Sequence, residues 1–378
     1  MNDTKLSPNK IKMQNRQKIY QFIQEEVSVS KQDIVVGLQL SLPTVTQNLE
    51  YLKSQHLIDA SKKIKNTGGR NATAYSCIKN AKMAIGIYLT GHHINAVVVD
   101  LTGEVVCVLK ESVIFDLDSE EYLQKIGNIV QKIKQEASIV DECLLGVGIA
   151  VPGLVSKDGE YVTYGESLGF TGKTKKEIAK YIPYNSKLFH DSNVAGYAEV
   201  WIDRSMSNAF YISLSNSVGG SVIIKRNIYE GDSYKGGEIG HMMIDPNNKK
   251  QCYCGKIGCF DTACRATNLD CYTGGNLEAF FERLKDHDKT AQMIWEKYVD
   301  SLVLAIHNVR MLFDGIVVLG GHVGAYIGEY MQELYEKLDA KDPFGDRAEE
   351  YLFQCKYRIE AAAAGAALTY IDEFMNNI

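Results

Sequence analysis

Between Gly237 and Cys259 the chain reads Gly-Glu-Ile-Gly-His, then ten residues, then Cys-Tyr-Cys-Gly-Lys-Ile-Gly-Cys. One imidazole, His241, and three thiols, Cys252, Cys254 and Cys259, fall within nineteen positions. Zinc takes four nitrogen or sulfur ligands in a tetrahedron, and three cysteines with one histidine are a closed set that structural sites use. The alternative, thiols packed as small hydrophobes, fits poorly with Gln251, Lys256 and Asp261, which make the loop polar. Cys264 is a spare thiol nearby, but Cys259 already closes the set.

These ligands sit in the acidic part of a divided chain. Its 378 residues are too many for one simple core and imply two or three domains. Residues 1–80 carry 12 Lys+Arg against 6 Asp+Glu, whereas the remainder carries 29 against 41. A basic head on an acidic body points to a nucleic-acid-binding module fused to something that is not one. No run approaches eighteen apolar residues, so no membrane span is expected. A polar start without a signal peptide, and nine cysteines beside a metal set, point to a reducing cytoplasm.

In the head, Ile19, Phe22 and Ile23 recur at helical spacing from Arg16 onward. Ser28 or Ser30 can cap a second helix carrying Ile34, Val35 and Leu38. Ser41 is placed as N-cap of a third, with Pro43 in the first turn, where its missing N–H does no harm. Val45, Leu49 and Leu52 then face inward. Ser41, Thr44, Thr46, Gln47 and Asn48 are expected outward, within reach of base edges and phosphates. Short strands around the stretch from Lys62 to Arg70 complete a winged helix-turn-helix, an α+β module, over residues 1–80. Lys62, Lys63 and Lys65 are expected to meet double-stranded DNA, and Arg70, beside Gly68 and Gly69, to enter a minor groove.

Beyond residue 80, apolar runs separated by glycines take over. Strands are expected at 84–89, 95–101, 105–109, 144–151, 186–189, 209–214, 221–224 and 316–319. Helices are expected at 122–137, 194–202, 277–284, 290–312, 326–338 and 361–375. The alternation means α/β layers. Here the chain resembles the ROK family, named for repressors, open reading frames and sugar kinases. The resemblance rests on the Gly237–His241 and cysteine motifs, Val151-Pro152-Gly153, His190-Asp191-Ser192-Asn193 and Leu319-Gly320-Gly321, and covers nearly the whole length. It implies a two-lobed, actin-like (RNase H-like) α/β body with a sugar cleft between the lobes. Lobe 1 would span 81–190 and lobe 2, with the zinc loop, 191–359; a C-terminal helix, 360–378, would pack back on lobe 1. The head resembles that of the family's transcriptional regulators.

The same resemblance sets the expected chemistry. A sugar kinase needs a carboxylate base and glycine-rich turns that admit phosphates and Mg²⁺. Asp191 stands at the family's base position. The family's first phosphate turn runs Asp-x-Gly-Gly-Thr; here it is Tyr88-Leu89-Thr90-Gly91-His92, and the second turn is Ser215-Asn216-Ser217-Val218-Gly219. A phenol and lost glycines argue against ATP binding and leave Asp191 a vestigial base. The sugar half is kept by resemblance: Glu238 and His241 contact hydroxyls, with His241 also on zinc, and Asp191 and Asn193 pair with ring hydroxyls. Ser167 and Asp261 replace the family's Asn and Glu. The expected function is a sugar-responsive DNA-binding transcriptional regulator, read as a repressor on the resemblance with activation left open, and not an enzyme. It would act as a homodimer or tetramer, with zinc as cofactor and a mono- or disaccharide as effector. The alternative is a bifunctional kinase phosphorylating a hexose with ATP.

Overall fold

Ser7, Ser30 and Ser41 each accept a backbone N–H three residues on and so open helices α1 (Pro8–Glu26), α2 (Lys31–Leu38) and α3 (Leu42–Ser54). The computed structural model describes residues 7–64, 72–357 and 360–378. Asp33 returns the bond to Ser30 N, completing a capping box, so Ser30 rather than Ser28 is the cap. Gln39, in the left-handed region, turns the chain from α2 towards α3. Helix α1 starts at Pro8, ahead of the apolar period that begins at Arg16; Ser7 caps it, and its exposed residues 9–12 carry no apolar period to mark it in the sequence. Strands β1 (Val29–Ser30), β2 (Ile58–Asp59) and β3 (Lys63–Ile64) all pair antiparallel with β4 (Ala72–Cys77). Ile19, Tyr20, Ile23, Ile34, Val45 and Leu52 close the head's core, and Arg16 lies 3.3 Å above the Tyr51 ring centroid.

In the body, β5 (Met83–Leu89), β6 (His93–Asp100) and β7 (Val105–Ser112) form an antiparallel meander. Helix α4 (Glu120–Glu136) leads to β8 (Leu144–Val151), parallel to β5. The short β9 (Leu154–Val155), β10 (Val162–Tyr164) and α5 (Lys175–Ile178) precede β11 (Ser186–His190), which adds parallel to β8. The sheet order is β11-β8-β5-β6-β7. Helix α6 (Asp191–Ile202) follows without a break. The second sheet, built from β12 (Ala209–Leu214), β13 (Val218–Ile224), β14 (Asn227–Ile228), β15 (Ile316–Gly320) and β16 (Leu352–Gln354), has the order β14-β13-β12-β15-β16. Between β14 and β15 lie α7 (Phe260–Cys264), α8 (Thr267–Asp270), α9 (Leu277–Lys285) and α10 (Lys289–Leu312). After β15 come α11 (Gly321–Gly324), α12 (Met331–Asp339) and α13 (Ala348–Tyr351), and α14 (Ala361–Met375) ends the chain's helices.

Some bounds shift: β6, β7 and α6 run to 93–100, 105–112 and 191–202 where 95–101, 105–109 and 194–202 were expected. The strand expected at 221–224 begins at Val218, because Gly219 and Gly220 continue the pairing with Ser213 and Ile212. The helix expected at 326–338 is a 3₁₀ turn, Ile327–Tyr330, followed by α12. The two- to four-residue elements β9, β10, β14, β16 and α5 are too short to leave a period in the sequence.

Helices α6 and α14 form the layer between the two sheets. Along β5, Ile85, Ile87 and Leu89 join the core under α4, so Ala84, Gly86 and Tyr88 point the other way, towards α14 and α6. A Cβ at Gly86 would fall on the carbonyl of Ala363, one at Gly148 on that of Ala366, and one at Gly365 on that of Val194. Ala361 to Ala367 therefore sits at backbone-contact distance from β5, β8 and α6 at once. Gly365→Ala is expected to destabilise the fold by about 1–3 kcal/mol or more, since backbone must move to admit the methyl. Urea denaturation checks this; an unchanged midpoint would mean that the two helices part freely.

Near the far end of α6, Glu199 is 1% exposed and accepts from Lys356 N at 2.7 Å and Tyr357 N at 2.9 Å. Burial lifts its carboxyl from an ordinary 4.5 to about 7, against the pull of those two N–H groups. The folded state thus binds more protons than the unfolded one between those pH values, and stability falls as pH rises through that window. Glu199→Gln should remove up to about 3 kcal/mol of that pH dependence. The readout is the slope of unfolding free energy between pH 4.5 and 7; an unchanged slope would place the titration elsewhere.

Candidate functional site

Strands β5, β8 and β11 end together, and their ends carry the polar groups of a cleft. Tyr88, next to last in β5, donates its hydroxyl to Asp191 Oδ2 at 2.8 Å. Asp191 opens α6, and its Oδ1 accepts from Ser192 N at 2.7 Å and Ser192 Oγ at 3.3 Å. His190 Nε2 lies 3.4 Å from Asp191 Oδ1 and 3.8 Å from Glu238 Oε1, so one imidazole stands between two carboxylates. Burial, then the Asp191 charge, drives the Tyr88 pKa well above its ordinary value and keeps the phenol a donor. His190, Asp191, Ser192 and Glu238 surround a cavity of about 40 Å³ with Pro152, Ser167, Tyr164 and Tyr253. An adjoining space of about 320 Å³ runs past Tyr88, Thr90 and Gly91 to Arg265 and His322.

The cysteine loop builds one wall of this cleft. His241 Nδ1 lies 3.6 Å from Cys252 Sγ, and Cys254 Sγ lies 3.8 Å from Cys259 Sγ. All four ligand atoms fall within 4.8 Å of one another, a group that can hold a metal ion. The loop is shaped by isolated bridges, Met243 with Cys259 and Gln251 with Ile257, and by Gly258 at φ +76°, where a Cβ would press on Asp245 O. Tyr253, between two of the thiols, packs edge-on to His241 with ring centroids 5.0 Å apart and faces the cavity. Glu238 stands just ahead of the 3₁₀ turn Ile239–His241, so the ligand loop positions both residues.

The structure brings together Ser167, Asp191 and Glu238 around the cavity and His241 with Cys252, Cys254 and Cys259 behind it. Asp261 and Asn193 are placed differently. Asp261, expected to face a sugar, is 1% exposed and committed elsewhere: Oδ1 accepts from Val218 N at 2.9 Å and Oδ2 pairs with Arg265 at 2.5 Å. It anchors the end of the Ser215–Ser217 turn. Asn193 turns away into a separate space beside Glu230 and Tyr234, because two steps along α6 rotate it off the Asp191 face. Cys264 is buried in the core beside the second sheet, against Tyr298, and takes no part in the cluster.

In the head, Ser41, Gln47, Lys62 and Lys63 are exposed and Thr44 and Thr46 half-buried. Asn48 corrects the expected outward face. It is 1% exposed, with Nδ2 bonded back to Thr44 O at 2.8 Å. Lys65, Gly68, Gly69 and Arg70 lie outside the described residues. Sequence reasoning missed His190 and Tyr253 in the cleft; adjacency to Asp191 and to the thiols was the available signal. It also missed the head–body contacts, Gln24 Nε2 to Leu101 O at 2.8 Å and Arg204 to Glu25 at 3.1 Å, which no local pattern announces.

Comparison with known proteins agrees with this geometry. A family model described as the ROK family matches residues 84–373. The xylose repressor of Bacillus subtilis (strain 168) is 29% identical over 242 residues, 62% of this chain; the chain spans 61% of that repressor's length. In fold, the chain is similar to a ROK family transcriptional regulator, a homologue of the E. coli MLC protein, with TM-score 0.71 and 21% identity over 97% of both chains. It is also similar to a ROK glucokinase from Streptomyces griseus in complex with glucose and AMPPNP, with TM-score 0.65 and 18% identity over 76% of this chain and 98% of that one. Among the described residues no helix is long and apolar enough to cross a membrane. With the family model covering most of the body, and its motifs gathered at one cleft, the chain belongs to the ROK family.

Proposed function

We propose that the chain is a DNA-binding transcriptional repressor whose sugar-kinase-like body senses a carbohydrate and carries out no phosphoryl transfer. One observation carries this: Ser167, Asp191 and Glu238 line the sugar side of the cleft, while the two phosphate turns carry side chains that are tied to neighbouring groups. Tyr88 occupies the first phosphate turn and bonds to Asp191. Ser215 Oγ accepts from His322 N at 3.2 Å, knitting the second turn to the glycine step beyond β15. Backbone that must cradle phosphates cannot also be packed with side chains. The reading of the head as a winged helix-turn-helix, residues 1–80, is supported by α2, α3 and the β3–β4 pair in that order. Ser41, Thr44, Thr46 and Gln47 would then meet DNA from α3, with Lys62 and Lys63 on its backbone. The repressor-named relative supports the same reading.

A homodimer, or a tetramer of two such pairs, would present two heads to a pseudo-palindromic operator. A sugar that binds one arrangement of the lobes better than the other would shift the population of head spacings. Zinc is the metal the cysteine group fits. A tetrahedron of zinc–sulfur bonds of about 2.3 Å has edges of about 3.8 Å, and the Cys254–Cys259 separation is 3.8 Å. Its role would be to fix the His241 ring, and through the loop Glu238 and Tyr253, against the cleft.

Genomic-fragment pull-down with the purified protein, with and without a panel of sugars, tests the reading. One palindromic motif released by a single sugar is expected, with no ADP formation above background in a coupled assay. Absence of any enriched motif, or sugar-dependent ADP release, would overturn it. A Cys254→Ala, Cys259→Ala double variant is expected to lose its zinc, measured by mass spectrometry of the metal, and to bind sugar more weakly. Full zinc content in that variant would remove the metal assignment.

A further inference from the structure

The junction of head and body holds a cavity of about 430 Å³ that shares no lining residue with the cleft. Gln21 and Gln24 of α1 form its head side. Tyr197 and Trp201 of α6, Arg204 just beyond it, Arg226 from the β13–β14 turn and Asp372 of α14 form its body side. The volume is that of an ordinary small-molecule site. Two polar groups in its wall lack the partners their chemistry calls for. Arg226 is half-buried, yet it forms no ion pair among the described residues; Nη1 donates to Asp203 O at 3.3 Å and Met206 O at 3.1 Å, both neutral carbonyls. Gln24 spends Nε2 on Leu101 O, while its buried Oε1 has no hydrogen-bond partner. Asp372, the carboxylate in the wall, already accepts from the Tyr197 hydroxyl and from Asn376 Nδ2 at 3.0 Å.

The backbone under Arg226 is also held where glycine is the usual choice. Lys225 and Arg226 stand at φ +50° and +66° in a two-residue turn between the paired Ile224 and Asn227, a turn that Asn-Gly ordinarily fills. The chain keeps a guanidinium there in spite of the strained conformation. Arg204 is the second cation, and its pairing with Glu25 at 3.1 Å is exposed enough to yield to a competing anion. We propose that this cavity is a second effector site, distinct from the sugar cleft, for a small hydroxylated organic anion: a polyol or sugar carrying one phosphate or carboxylate. The anionic group sits between Arg226 and Arg204, and a ligand hydroxyl supplies the donor that Gln24 Oε1 lacks. Because its walls come from α1 on one side and α6 and α14 on the other, the bound anion ties the head to the body in this arrangement.

The full-length protein is titrated calorimetrically with sorbitol, gluconate and sorbitol 6-phosphate, six-carbon polyols that are neutral, carboxylated and phosphorylated. At least one of the two anions is expected to bind about tenfold tighter than sorbitol or more, and which of them does so separates a phosphate site from a carboxylate site. Arg226→Ala and Arg204→Ala should each weaken that anion about tenfold, whereas Asp191→Ala, in the cleft, should leave its affinity unchanged. If Arg226→Ala disrupts its turn and does not fold, Arg204→Ala, at an exposed position, decides. Neither anion binding better than sorbitol, or anion affinity that survives in the folded arginine variants, overturns the proposal. Anion affinity lost in Asp191→Ala places the ligand in the cleft and overturns it as well.

Discussion

The close approach of α14 to β5, β8 and α6 is the constraint on which the rest of the body depends. Side chains normally keep a helix about 10 Å from a sheet; here glycine and alanine let backbones meet. Gly86 faces Ala363, Gly148 faces Ala366 and Gly365 faces Val194. Each of these contacts leads within a few residues to the cleft. Tyr88 is two residues past Gly86 on the same face of β5, Pro152 follows β8, and Asp191 lies three residues before Val194. The seam thereby fixes the 2.8 Å contact between Tyr88 and Asp191 from both sides. Dispersion between close-packed small residues is the force available, and it rewards only one spacing. A methyl group added at the seam is felt at the cleft because nothing soft lies between.

The two walls of the cleft are built by different physics. The first sheet offers Tyr88 and His190 from strand ends, with Asp191 directly after β11, where position follows from β register. The opposite wall, Glu238 and Tyr253, hangs on a loop in which Gly255 and Lys256 are exposed and the apolar Met243, Tyr253 and Ile257 are largely left out of the core. A metal ion held by His241, Cys252, Cys254 and Cys259 would crosslink such a loop. Asp261 performs the matching task from below, tying Val218 N and Arg265 together where a family carboxylate one methylene longer would reach further. The shorter side chain is spent on structure. His190, between Asp191 and Glu238, is the group that a sugar's hydroxyls would have to replace or join as the walls approach.

Much of this was legible in the sequence, and what was not has physical reasons. The long helices and strands announced themselves because their apolar residues repeat at fixed periods, and β8, β12 and α14 have the expected bounds. The metal group was legible because ligand chemistry restricts both residue type and spacing. Asn48 was misplaced because its polar type was weighed above its position; it stands three residues past Val45, on the face that Leu49 and Leu52 bury, and its amide bonds back to Thr44 O. Asn193 was misplaced for a related reason, since a motif shared with relatives does not specify which of its members faces the ligand. The short pairings β9–β10 and β15–β16 depend on distant partners and carry no local signal. The contacts of α1 with Leu101 and Arg204 are likewise set only once both modules are folded.

Helix α6 is the element that can turn occupancy of the cleft into a change at the head. It starts with Asp191 and ends at Ile202, a rod of about 18 Å at 1.5 Å per residue. Just beyond its end, Arg204 pairs with Glu25 of α1, with both side chains substantially exposed at 43% and 58%. An exposed pair of that kind is worth at most about 1 kcal/mol. Gln24 adds one bond to Leu101 O, in the turn whose Gly103 O accepts from Tyr357, and Tyr357 N is held by Glu199 of α6. Among the described residues, Gln17 Nε2 also donates to Asn376 O at 2.8 Å, just past α14, and Lys79 pairs with Glu104 at 2.9 Å; these contacts too are exposed, while the α6–α14 layer is buried. Allosteric coupling needs only about 1–3 kcal/mol between sites. A small displacement of a stiff rod is enough to favour one set of weak contacts over another, which is what a sugar-driven change of head spacing requires.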